Sequence, residues 1–341
     1  MAADLGEASD GRIGEIEMIA EYFAPLAADT PGSLGLRDDA AILTGDGGRT
    51  IVTMDALIAG VHFFPDDAPE DIAWKALAVN VSDLVAKGAR PRAYMLALAL
   101  PGQPTRGWIA AFADGLGQAQ RAFGLGLLGG DTTSTPGPLA IAVTAFGETP
   151  HWRDAPRRDG ARPGDGVYLS GALGDGALGL KARRGDLPGL AAEHQAHLID
   201  RYLRPAPRVA LAGAVFAHAS ASMDISDGLA IDLGRLCQAS GCGARVEIAR
   251  LPLSDAARGA LAIEPGLIET ILTGGDDYEI LACVPERADA AFVEAAARVN
   301  VAVTRIGRIV AGDAVEIAGA GGAPLVLSAP GYQHFVSPPP R

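Results

Sequence analysis

The stretch PEDIAWKALAVNVSDLVAK, residues 69–87, decides how the chain is read. It has the make-up of a helix, and strand-like runs flank it at Thr50–Asp55 and Ala93–Leu100. Within it Asn80, Asp83 and Lys87 follow i, i+3, i+7 spacing and therefore share one face. Val79, Val81, Leu84 and Val85 flank that face, so the helix is apolar with one narrow polar strip. An ordinary solvated face is broader, and the strip points to function.

The same alternation extends in both directions. The first half predicts further strands at Leu125–Leu128 and Leu139–Phe146, with helices at Gly14–Phe23 and Thr105–Phe123. The second half predicts strands at Gly166–Ser170, Ser222–Asp224, Ala244–Ile248, Glu279–Val284 and Thr304–Ile309. Its helices are expected at Gly174–Ala182, Glu193–Tyr202, Ala206–Ala219, Gly228–Gln238 and Arg287–Val299. The pattern defines an α/β (α+β) protein. With 341 residues it is expected to form two domains, each a mixed sheet with helices packed on one face. Residues 150–165, rich in Pro, Gly, Arg and Asp, form the expected boundary, giving domains 1–150 and 151–341.

Composition removes several function classes. The net charge of −13 disfavours binding to a nucleic-acid backbone. No run of about 20 apolar residues escapes a charge or a Gly/Pro break, so no membrane span is expected. Met1–Asp10 is acidic and lacks an apolar signal segment. Cys237, Cys242 and Cys283 form neither a disulfide framework nor a CxxC site. A cytoplasmic protein with buried structural thiols is the expectation.

The acids are not scattered. Asp38 and Asp39 precede Ala40-Ala41-Ile42; Asp55 ends a strand run; Asp83 lies inside the apolar helix. Asp131 follows Gly129-Gly130, Asp224 and Asp227 lie in Asp224-Ile225-Ser226-Asp227-Gly228, and Asp276-Asp277 follow Gly274-Gly275. Any one of these fits a helix cap or a turn. Together they suggest convergence. Two carboxylates about 4 Å apart repel by roughly 4 kcal/mol at an effective dielectric of about 20. Such acids protonate, separate or bind a hard cation, and without His or Cys ligands Mg²⁺ is the natural choice. No P-loop or kinase loop is present, and Gly171-Ala172-Leu173-Gly174-Asp175-Gly176 lacks the dinucleotide-binding order.

Taken in order, Arg37-Asp38-Asp39-Ala40-Ala41, Met54-Asp55, Gly60-Val61-His62-Phe63, Trp74-Lys75 through Leu84, Gly129-Gly130-Asp131-Thr132-Thr133, Asp224 through Leu229 and Gly275-Asp276-Asp277-Tyr278-Glu279 resemble the thiamine-monophosphate kinase family. That family lies in the superfamily of aminoimidazole ribonucleotide synthetase. The resemblance implies a homodimer that phosphorylates thiamine monophosphate with ATP and several Mg²⁺ ions. It implies an N-terminal ATP/Mg²⁺-binding and dimerisation domain, with a C-terminal domain completing the nucleotide and substrate site. It implies metal ligation by Asp38, Thr53, Met54, Asp55, Asp83, Asp131, Asp224 and Asp227. ATP contacts are implied for Gly130, Asp131, Arg158 and Ser226, and thiamine monophosphate contacts for His62, Asp276 and Tyr332. No general base is assigned, because the acceptor phosphate is already ionised. Three positions depart from the usual pattern: Arg37 stands for a Gly, Met54 for a Thr and Asp276 for a Glu. The rival readings are another ATP-dependent member of the superfamily, a metal-dependent phosphohydrolase, and a non-catalytic metal-binding module.

Overall fold

The computed structural model describes residue 34 and residues 37–45, 48–319, 322–328 and 331–332. The helix expected at Gly14–Phe23 lies outside them.

Helix α1 (Pro69–Ala86) organises the molecule. Thirteen of its eighteen residues are buried, so it has almost no solvent face. On one side it packs on β2 (Gly48–Ile58), β3 (Arg90–Leu100) and β5 (Ala140–Thr149). With β1 (Ala41–Gly45) and β4 (Gly126–Ser134) these form a five-stranded mixed sheet, ordered β1-β2-β5-β3-β4. Only β3 and β4 pair in parallel. Helix α2 (Arg106–Phe123) packs beside α1, started by the Thr105 hydroxyl accepting from Trp108 N–H and ended by left-handed Gly124.

The other side of α1 meets β7 (Ala221–Asp224) and β9 (Ile280–Val284) of a second, six-stranded mixed sheet. Its order is β11-β8-β10-β6-β9-β7, with β6 at Gly166–Ser170, β8 at Gly243–Glu247, β10 at Val303–Val310 and β11 at Val315–Ala318. Alternation along its strands divides two cores. Tyr168, Ile280, Ala282 and Val284 join the core built around α1, together with Phe292 of α9 (Asp289–Arg298). Val167, Leu169, Leu281 and Cys283 face a second core with α3 (Asp175–Arg184), α6 (Leu229–Ser240), α7 (Asp255–Ile263) and α8 (Leu267–Thr273). The second sheet is thus covered on both faces. The remaining helices are α4 (Ala192–Leu203) and α5 (Ala212–His218).

The α/β class and the mixed sheets agree with the sequence pattern. The helix expected from Ala206 begins only at Ala212, because Pro205 and Pro207 disfavour helical backbone at the residues before them, Arg204 and Ala206. β1, β11, α7 and α8 were not anticipated; all are short. The three cysteines are free and buried. Burial pushes the Cys237 thiol up to about 12, so it stays protonated and inert.

Candidate active site

A cleft of about 1350 Å³ runs between the two sheets along the polar strip of α1. Of the residues singled out from sequence, Asp38, Asp55, His62, Asp83, Arg158, Asp224, Ser226, Asp227, Asp276 and Tyr332 all line it. Thr53 is buried directly behind it. Met54 points elsewhere, 63% exposed. Gly130 and Asp131 are exposed on β4 and are not among the lining residues.

Asp55 comes from β2, Asp83 from α1 and Asp224 from the end of β7. Asn80, one helical turn before Asp83, fixes the strand: its Oδ1 accepts the Asp55 amide at 3.0 Å while its Nδ2 donates to Ala76 O at 3.0 Å. Thr53 Oγ1 lies 2.6 Å from Asp83 Oδ2 and 3.1 Å from Asp39 O. One hydroxyl proton cannot serve two acceptors, so the arrangement is satisfied when Asp83 carries a proton and donates it to Thr53.

The electrostatics agree. Burial, then repulsion by Asp55 and Asp224, pushes Asp83 well above the ordinary carboxylate range. Burial, then Asp39 and Asp227, raises Asp55 to about 6. Burial, then Asp39, raises Asp224 to about 8. Asp39 goes the other way: burial works to raise it, but Arg158 and Lys87 outweigh burial and hold it at about 2. Carboxylate oxygens of Asp39, Asp83 and Asp224 lie within 4.8 Å of one another. Acids forced this close with oxygen-only donors fit a hard divalent cation. The sequence reading placed Asp38 in that group; the geometry puts Asp39 nearest the other acids.

The loop after β7 is held by a residue the sequence reading passed over. Asp232 Oδ2 accepts from the amides of Ser226, Asp227 and Gly228 at 3.1, 3.0 and 3.1 Å. Arg235 bridges Asp227 and Asp232. The loop of residues 274–278 is laced to it: Asp276 N–H donates to Ser226 O at 2.9 Å and Tyr278 N–H to Ile225 O at 2.8 Å. Gly275 is required there, since a Cβ would stand 2.0 Å from Ser226 O. Gly130 is required on β4 for the same reason, with Leu96 O at 1.8 Å, which gives the Gly-Gly-Asp echo a common cause in close backbone approach.

Asp276 and Tyr278 adopt left-handed φ values of 67° and 52°. Such strain in a non-glycine residue persists only where neighbours enforce it. Lys75, 2% exposed, does so here: its Nζ lies 3.2 Å from Asp276 Oδ2 and 3.8 Å from the Tyr202 ring centroid. Tyr278 OH donates to Asp276 Oδ1 at 3.0 Å. Next in sequence, Asp277 accepts the amides of Gly174 and Gly176 at 2.9–3.0 Å. The glycine-rich turn before α3 is therefore filled by the protein's own carboxylate and offers no phosphate cradle.

His62 Nδ1 accepts the Ile58 amide at 3.0 Å, which leaves the ring proton on Nε2. Tyr332 is anchored by its amide to Asp227 O at 3.1 Å. Of the three neighbouring arginines, Arg153 turns away to the carbonyls of Ala217 and Ala219 at 2.7 and 2.8 Å. Arg157 and Arg158 line the cleft, as do Lys181 and Arg184 of α3. Arg158 is the cation the resemblance implied; Lys181 and Arg184 had no motif to mark them. Acids at the floor and cations at the rim suit an anionic ligand that arrives with metal ions.

Comparison with known proteins defines the class. The family model for the AIR synthase related protein N-terminal domain matches residues 37–149, and that for the C-terminal domain matches residues 162–319. Thiamine-monophosphate kinase of Caulobacter vibrioides is 41% identical over 306 residues, covering 89% of this chain and 86% of that protein. The Escherichia coli K12 thiamine-monophosphate kinase is 40% identical over 331 residues, covering 95% and 99%. The solved structure of AaThiL complexed with AMPPCP and TMP superposes with a TM-score of 0.83 at 30% identity, covering 96% of this chain and all of that one. Within the AIR synthase related class, the chain belongs to the thiamine-monophosphate kinase family.

Proposed function

We propose that this protein transfers the terminal phosphoryl group of ATP directly to the phosphate of thiamine monophosphate, giving thiamine diphosphate and ADP. The observation that carries it is the convergence of Asp55, Asp83 and Asp224, from both halves of the chain, in one cleft whose rim is cationic. A bond forms between an acceptor phosphate oxygen and the γ-phosphorus as the bond to the β-phosphate oxygen breaks. The acceptor is ionised beforehand, so no side chain has to remove a proton. Reaction then depends on placement and on charge neutralisation. Mg²⁺ bound here would neutralise the phosphates and polarise the bond that breaks.

The chain's own residues fill the remaining roles. Asp55, Asp83, Asp224 and Asp39 would hold Mg²⁺, with Thr53 Oγ1, the Met54 carbonyl and Asp227 at the margin and Asp38 bordering them. Asn80 and Asp232 position the strand and loop that carry these groups. Ser226 and Arg158 face the nucleotide. His62 meets the acceptor phosphate, and Tyr332 stacks on the cationic thiazolium, worth about 1 kcal/mol. Asp276 faces the same cation.

A homodimer belongs to this reading. β4 lies three strands from β2, so Asp131 and Asp55 of one chain stand about 14 Å apart at roughly 4.8 Å per strand step. No single ion spans that gap, and a partner's Gly130 and Asp131 would supply the missing contacts. The uncovered face of the first sheet supports this. Met54, Thr144 and Met95 form one row across it, with exposed Leu128 in the adjacent bulge of β4. A cytoplasmic setting accompanies the reading, and the free buried thiols suit it. Among the described residues no helix is long and apolar enough to cross a membrane.

The test is to incubate the protein with ATP, Mg²⁺ and thiamine monophosphate and separate the products. Equal amounts of thiamine diphosphate and ADP support the proposal. Inorganic phosphate without thiamine diphosphate would make it a phosphohydrolase, and metal binding without turnover would make it a binding module.

A further inference from the structure

Charge pairing divides the acid cluster into two groups. Among the described residues no Lys or Arg forms an ion pair with Asp55, Asp83 or Asp224, whereas Asp39 pairs with Lys87 and Arg158 and Asp38 with Lys87. Lys87 Nζ lies 2.7 Å from Asp38 Oδ1, 2.7 Å from Asp39 Oδ2 and 2.7 Å from Ser222 O. Ser222 O accepts a hydrogen bond from the ammonium, whereas the two carboxylate oxygens pair with it by charge, and buried Asp39 Oδ2 has no hydrogen-bond partner. Arg158 pairs with the other oxygen of Asp39, and its amide donates to Asp38 Oδ2 at 3.0 Å. The Asp39 amide donates to Asp38 Oδ1 at 2.9 Å. Both Asp38 oxygens are therefore occupied within the protein.

The lysine has no room to withdraw. It is 2% exposed. Its own amide donates to Asp83 O and Leu84 O at 3.1 Å each, which closes α1. The chain then turns at Gly88, φ 66°, where a Cβ would stand 2.6 Å from Phe216 of α5. Residue 87 is thus pinned between the two halves of the molecule. A Mg²⁺ ion bridging Asp38 and Asp39 needs oxygens at about 2.0–2.1 Å. It would have to sit where the ammonium sits.

We infer that Lys87 is a built-in cation of this site: its ammonium takes the place of a divalent ion between Asp38 and Asp39, so that Asp38 stands outside the metal-ligand set and the ions gather on Asp55, Asp83 and Asp224, with Asp39 at their edge. The inference rests on the metal-dependent reading above and narrows it. It assigns this chain one fewer divalent ion than its acids alone would hold.

Mn²⁺ binding to the full chain, counted from the loss of the free-ion electron paramagnetic resonance signal, tests it without reference to turnover. The Lys87→Met protein, similar in length but uncharged, is expected to bind one further Mn²⁺ per chain. Asp38→Asn alone is expected to leave the native count unchanged. Asp38→Asn on the Lys87→Met background removes the added ion. An unchanged count in folded Lys87→Met overturns the inference, as does loss of an ion from Asp38→Asn. Should Lys87→Met not fold, the Asp38→Asn count decides alone. A native protein that binds no Mn²⁺ defeats the metal-dependent reading itself, whereas native binding with either contrary count defeats only the role of Lys87.

Discussion

Raising the pH should loosen the metal-free protein, and Mg²⁺ should cancel most of the loss. An acid whose pKa is higher in the folded chain holds a proton there that the unfolded chain has given up. Stability then falls as pH rises, until the folded group ionises as well. Asp224 is in this condition from its ordinary 3.8 up to about 8, and Asp232 up to about 7, the latter chiefly through burial and then Asp227. Each such pH unit costs about 1.4 kcal/mol per group. Between pH 6 and 8 the loss is about 2 kcal/mol from Asp224, which is half ionised by pH 8, and about 1 kcal/mol from Asp232. At about 2 °C per kcal/mol the melting temperature falls by on the order of 7 °C. His218 works the other way, since burial and the cations Arg153 and Arg298 lower its pKa, but only below its ordinary 6.5. Saturating Mg²⁺ should remove the Asp224 share and leave that of Asp232, and Asp224→Asn should flatten the curve without metal. Thermal unfolding followed by circular dichroism, in chelator and in Mg²⁺, gives all three curves. A metal-free melting temperature that is level or rises from pH 6 to 8 would refute the account of these acids as crowded and unneutralised.

Three further outcomes follow from the same contacts. Asp83→Asn should lower turnover at least a hundredfold, about 3 kcal/mol in the barrier. Its metal-free melting temperature should be close to native, because the amide is neutral like the protonated acid and can also donate to Thr53; unfolding of the variant would instead mark Asp83 as structural. Lys75→Met removes the ion that holds Asp276 in its strained conformation, and should raise KM for thiamine monophosphate about tenfold or more while leaving KM for ATP within about twofold. Equal changes in both constants would count against a local role. Finally, Asp131→Asn and Asp83→Asn chains, each inactive alone, should regain about a quarter of native activity when unfolded together and refolded. Half of the dimers are then mixed, and each mixed dimer has one intact site. No recovery would place Asp131 and Asp83 in the same protomer's site or in none.

Much of the site was legible because its chemistry breaks a compositional rule. Asp83 inside an apolar helix, and Asp224 closing a strand, are carboxylates where a core requires apolar groups. That mismatch needs no coordinates to notice. What could not be read was pairing. Lys87 was visible as a third member of the polar strip on α1, yet nothing in residues 69–87 says that its partners are Asp38, Asp39 and a carbonyl on β7. Asp232 looked like an ordinary first-turn acid of α6, and only the close return of residues 226–228 makes it a collector of three amides. Asp38 and Asp39 are adjacent and chemically identical, so sequence had no means to rank them. Rotation of the backbone gives Asp38 the Arg158 amide, and brings Asp39, which shares the lysine, within reach of Asp83 and Asp224. The short elements β1, β11, α7 and α8 escaped because pattern needs length: four to nine residues give too few periods to separate a helix from a turn.

The packing of α1 also bears on how the cleft works. A site between two sheets invites a hinge, with closure bringing the acids together. The contacts across the cleft argue for a fixed geometry instead. Lys87 reaches Ser222 O, Lys75 reaches Asp276, Trp74 Nε1 donates to Pro205 O at 2.8 Å, and Arg158 pairs with Asp39. Opening the halves would strand the buried Lys75 ammonium, part Lys87 from Ser222 O and Arg158 from Asp39, and expose the apolar flank that α1 shares with Tyr168, Ile280 and Ala282. Leaving one such charge unpaired typically costs about 3–5 kcal/mol. Hinge opening would leave Lys75 in that state, at a cost well above thermal energy. The acids are therefore held together before any ligand arrives, and their mutual repulsion is a standing feature of the folded chain that ligand binding relieves.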